Sequence, residues 1–157
     1  MSAFQPVALA MVALGVSVLA GCAQADAPLV PDSAIVADTL PQPLTDTPGD
    51  PIRGLSVFLD QEKGHCVLCH AVQGLDAPFQ GNLAPDLGRV ADRLSPGQLR
   101  LQVADARRIV PGTIMPSYYR TDGLYRVASG YRQSPVLSAQ EVEDVTAYLL
   151  TLTGDGA

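Results

Sequence analysis

Apolar positions divide the chain into stretches with different spacing. The first, Val7 to Ala20, is an apolar run without a charged residue. It is too short for a comfortable membrane span and has the length of an export signal's core. A helix buried in the protein's own core is the alternative, but no amphipathic partner lies nearby. Small residues follow in Ala20-Gly21-Cys22-Ala23-Gln24-Ala25. Ala23-Gln24-Ala25 has the small-x-small form of a cleavage site and predicts a signal peptide over residues 1–25. Leu19-Ala20-Gly21-Cys22 also has the form of a lipobox, in which Cys22 would be lipidated. Met1 to Pro6 lacks the Lys or Arg that export signals usually carry.

From residue 26 to 50 the pattern loses all period. Pro28, Pro31, Pro41, Pro43 and Pro48 remove backbone donors and block helix, and Pro51 follows. An extended arm with polyproline character is expected. Leu29, Val30, Ile35, Val36, Leu40 and Leu44 would let it wrap its own domain or a partner; a disordered linker is the alternative. After Pro51, a favoured first-turn residue, Ile52, Leu55, Phe58 and Leu59 predict a helix ending at Gly64. Gly54 shares that side and predicts close contact with another helix. Residues 71–92 are loop-like. Ser95 and Pro96 start a short helix carrying Leu99 and Val103. Residues 105–116 are irregular, and 117–135 hold at most a turn or two. Ser138-Ala139-Gln140-Glu141 is a capping box, and Val142, Val145, Leu149 and Leu152 continue a helix expected to stop at Gly154. No alternating pattern of useful length predicts strands.

Composition narrows this. The chain has 157 residues, 13 Pro and 14 Gly, enough for one small domain with much irregular backbone. A net charge of −6 argues against nucleic acid as a partner. Of the three cysteines, Cys22 falls in the leader. The other two lie in Cys66-Val67-Leu68-Cys69-His70, so no cysteine remains for a structural disulfide.

That five-residue run is a haem-attachment motif. Two thiols two residues apart form thioethers to the haem vinyl groups, and His70 then lies under the iron. Zinc would need four ligands in tetrahedral array, but His65, Cys66, Cys69 and His70 are crowded into six residues. A redox dithiol would need a βαβ context that is absent. The sixth iron ligand follows by elimination. His65 and Lys63, beside the motif, cannot reach the opposite face, and Met1 and Met11 leave with the leader. Met115, before Pro116 in a loop, remains; core filler is its alternative role. His/Met ligation fills both axial positions and favours electron transfer over substrate binding at iron. Pro85 is expected to offer its carbonyl to the ring N–H of His70. Arg107 and Arg108 either neutralise the haem propionates or are solvated, and Tyr118 and Tyr119 either bond a propionate or pack.

From Pro51 to Thr153 the chain resembles class I cytochromes c. Gly54 and Phe58 look like that family's packing pair in the first helix, and Val145 and Tyr148 like their partners in the last. The resemblance implies an all-α class I cytochrome c fold over residues 51–157, preceded by the Pro-rich arm. Asp105-Ala106-Arg107-Arg108, Thr113-Ile114-Met115-Pro116-Ser117-Tyr118-Tyr119-Arg120 and Leu137 to Val145 resemble the SoxX family more narrowly, together with Gly64 to His70. That likeness implies one covalent haem c in a periplasmic heterodimer with a SoxA cytochrome. SoxA would hold the catalytic haem and couple thiosulfate oxidatively to a cysteine of the SoxYZ carrier, an L-cysteine S-thiosulfotransferase reaction. This chain would take the electrons and pass them to a small cytochrome c. A free-standing monohaem shuttle is the alternative, and a haem-based ligand sensor would need an open iron site.

Overall fold

A computed structural model describes residues 28–154, so the leader, Cys22 and the cleavage readings lie outside the described residues. Three α-helices carry the domain: α1 (Pro51–Leu59), α2 (Pro96–Asp105) and α3 (Ala139–Leu149). Short 3₁₀ turns punctuate the long connections, and among the described residues the sole β pairing is an isolated bridge between Val36 and Thr39.

Each α-helix is started by its own sequence. The Asp50 carboxylate accepts from the N–H groups of Ile52 and Arg53, and Pro51 takes the first turn of α1. Ser95 with Gln98, and Ser138 with Glu141, form reciprocal capping boxes on α2 and α3. The ends differ from expectation. α1 stops at Leu59, where the Asp60 backbone turns extended, five residues short of Gly64. α3 stops at Leu149, not at Gly154.

α1 and α3 cross in close contact, and the crossing explains Gly54. A Cβ there would lie 1.9 Å from the Asp144 carbonyl oxygen, so no other residue fits. Phe58 packs edge-on against Tyr148, with ring centroids 5.2 Å apart. The buried side of α1 is therefore Gly54, Val57 and Phe58. This corrects the expected stripe: Leu55 and Leu59 are partly buried against the core, while Ile52 is 80% exposed. Arg53 and Asp144 lock the crossing with a bidentate pair, both contacts 2.8 Å. Burial opposes ionisation of Asp144, but Arg53, the Asp50 backbone N–H and Gln140 together hold its carboxyl below the usual range.

The arm lies on its own domain and is neither a free linker nor uniformly extended. It contains a 3₁₀ turn, Asp32–Ala34, and buries Val30 and Leu40. Leu40 N–H donates to the Gly97 carbonyl at 2.9 Å. A buried, bidentate Arg100–Glu143 pair anchors it: Arg100 donates to the Leu40 carbonyl at 2.8 Å, and Glu143 accepts from Leu44 N–H at 2.8 Å.

Candidate functional site

A cavity of about 510 Å³ opens between the loop after α1, the front of α2 and the segment that follows it. Its walls are mainly apolar, with Leu94, Leu99, Val103 and Leu149 among them. Cys66, Cys69, His70, Pro85 and Met115 all line it, so five residues singled out from sequence converge on one space.

The His70 side is local in construction. His65 takes a left-handed conformation, φ 42°, and starts the 3₁₀ turn Cys66–Leu68. That turn folds the chain so that His70 N–H donates to the Cys66 carbonyl at 2.9 Å. The His70 Nδ1 lies 2.7 Å from the Pro85 carbonyl oxygen. A carbonyl can only accept, so the proton sits on Nδ1 and Nε2 keeps a free lone pair. Burial, aided by Cys69 and opposed by a backbone hydrogen bond, pushes the Cys66 thiol up to about 12.

The Met115 side is held by α2, the helix that precedes it in the chain. Met115 N–H donates to Thr113 Oγ1 at 3.2 Å, and Gln102 Nε2 on α2 donates to Met115 Sδ at 3.4 Å. Beyond Met115, the segment runs along α2: Tyr118 N–H reaches the Val103 carbonyl and Tyr119 N–H the Ala104 carbonyl. Buried Asp105 accepts from Ser117 and pairs with Arg120. One hydrogen bond joins the two sides, from Tyr118 O–H to the Gly64 carbonyl at 2.8 Å, and burial pushes that phenol up.

Arg107 and Arg108 do not line the cavity; both are exposed, and Arg108 pairs with Asp32 of the arm. The guanidinium at the cavity is Arg93, which also donates to the Asp86 carbonyl at 3.0 Å. Tyr118 lines the cavity, while Tyr119 packs against the core. Sequence reasoning missed Arg93, Gln102 and Asp105. Gln102 carried a signal, since it interrupts the apolar face Leu99–Gln102–Val103 of α2.

The donor set suits a covalently held haem: two thiols and an aligned imidazole on one wall, a thioether on another, and apolar side chains between. The family profile described as cytochrome c matches residues 53–153. No curated protein matches the chain. Among solved structures, SoxXA from P. pantotrophus is similar, with 37% identity and a TM-score of 0.72 over 75% of this chain and 92% of that chain.

Proposed function

This chain belongs to the cytochrome c family and, within it, to the SoxX cytochromes, and from that premise we propose that it is the electron-transfer subunit of a thiosulfate-oxidising complex. It carries a covalently bound c-type haem, which supplies a one-electron ferric/ferrous couple. Cys66 and Cys69 hold the group through thioethers. His70, with its Nδ1–H directed at the Pro85 carbonyl, would offer Nε2 to the iron, and Met115 would offer Sδ from the other wall. The apolar walls would keep water from the group they enclose. Arg93 lines the cavity and would pair with a propionate there.

The observation that carries this reading is that His70 and Met115, far apart in sequence, line one apolar cavity beside the two cysteines. A haem held by both His70 and Met115 would supply electron transfer and would leave no open site for substrate. The sulfur chemistry therefore belongs to a partner, a SoxA-like cytochrome in a periplasmic heterodimer. Coupling thiosulfate to a SoxYZ cysteine thiolate forms one S–S bond and releases two electrons. They leave one at a time through this chain to a small cytochrome c. No helix among the described residues is long and apolar enough to cross a membrane.

Purification from the native source tests the proposal. Co-elution with a second c-type cytochrome, and reduction of this haem when the complex turns over thiosulfate and the carrier protein, is expected. Recovery as a lone monomer whose haem stays oxidised in that mixture overturns it. Val30 and Leu40 of the arm are buried on its own domain, so these two do not argue for a partner.

A further inference from the structure

The start of the arm lies against the part of the molecule that carries Met115. Val30 is 6% exposed and joins the core, and with Leu29 it lines a crevice whose other walls include Asp105, Tyr119 and Arg120. Asp32, in the 3₁₀ turn that follows, pairs with Arg108 just past the end of α2. The later arm rests elsewhere: Leu44 N–H donates to Glu143 and the Thr45 hydroxyl to Gln140, both on α3.

Asp105, Tyr119 and Arg120 are the means by which the Met115 segment hangs on α2. Tyr119 N–H donates to the Ala104 carbonyl at 3.0 Å, and buried Asp105 accepts from Ser117 and, at 3.1 Å, from Arg120. Ser117 is two residues past Met115. Hydrogen bonds to a carboxylate are strong where water is kept away and weaken where water competes. Leu29 and Val30 occupy surface beside this clasp that water would otherwise take.

We propose that the start of the arm, Leu29 to Asp32, is a strap that holds the Met115 segment onto α2, with Val30 and Asp32 as positioning residues for that ligand. This rests on the reading of Met115 as axial ligand. Loosening the strap leaves the His70 side in place and lets an added ligand compete for the methionine's position.

The test uses the haem-loaded full chain and measures ferric imidazole binding beside the methionine-to-iron charge-transfer band and urea unfolding. Val30→Ser should weaken the band and bind imidazole roughly tenfold more tightly, as expected when the methionine-free state becomes tenfold more populated. Asp32→Ala should shift both the same way by less, and it carries the test if Val30→Ser does not fold. Leu44→Ala, where the arm rests on α3, should lower stability and leave imidazole affinity native. Native imidazole affinity in the strap variants overturns the proposal, and so does equal tightening in Leu44→Ala at a matched loss of stability. Met115→Ala keeps the two readings apart: it should bind imidazole most tightly, and adding Val30→Ser to it should change nothing. If Val30→Ser still tightens binding without Met115, the strap fails while the ligand stands. If Met115→Ala binds imidazole no better than the native chain, the ligand assignment fails and the strap with it.

Discussion

The two walls of the cavity are built by opposite means. On the His70 wall the determinants are turns and loop backbone: a left-handed residue, a 3₁₀ turn, a backbone bond from His70 to Cys66, and a carbonyl from Pro85. On the Met115 wall the position of Met115 is set by α2 through Gln102, Asp105 and the Val103 and Ala104 carbonyls. One wall is built of turns and loop backbone, whereas the other lies on a helix.

The largest effect should come from the first wall. Replacing Cys66 and Cys69 with Ala should abolish covalent haem, seen as loss of the mass adduct. Met115→Ala should keep the adduct and lose only the methionine charge-transfer band, with a fall in potential. Equal loss of haem in both would erase the contrast between the walls. Next is Asp105→Ala, which removes the buried acceptor shared by Ser117 and Arg120 while Arg120 keeps Asp122; losing such charged hydrogen bonds costs about 1–3 kcal/mol, measurable by urea unfolding. The methionine band should weaken well before the haem adduct or the His70 ligation is affected.

Acid sharpens the comparison from outside the cavity. The α1 and motif side is tied to α3 by Arg53–Asp144 and Lys63–Glu141. Burial raises the Glu141 carboxyl, but Lys63 and the Ser138 backbone and hydroxyl outweigh it and leave it below the usual value. Asp144 is depressed in the same way. Both groups then contribute stability that is complete above the ordinary carboxylate pKa, about 4, and is lost as pH falls through the lower folded values. Unfolding free energy should therefore drop on acidification below about pH 4. Glu141→Gln should flatten that dependence, and an unchanged slope would dismiss the tie. The smallest effect is at the bridge between the walls: Tyr118→Phe removes the bond to Gly64 and should cost about 1 kcal/mol, with the haem adduct intact.

How much was legible in the sequence follows the same division. The attachment motif and the capped starts of α2 and α3 rest on residues within a few positions of one another, and the Pro85 contact spans 15 residues. Met115 was reached by elimination, because its anchors on α2 are not marked by spacing. The α1 stripe was misread at Ile52 because a periodic count treats every apolar residue as inward. The real contact is set by Gly54, where the backbone of α3 must pass, and that turns Ile52 to water. Arg107 and Arg108 look suited to anions as a pair, yet the 3₁₀ turn Ala106–Arg108 carries them away from the cavity. Arg93 had no motif to announce it.

The seating of the arm has a consequence in time. Leu44 is bonded to Glu143, 99 residues farther along, and Leu40 to Arg100, 60 residues on. Closing such long loops is unfavourable until there is a surface to receive them. The receiving surface here is the pair of helices α2 and α3, so the arm finds its place only after both have formed. Docked late, the arm marks completion of the domain: its protection from protease would report that α3 is in place.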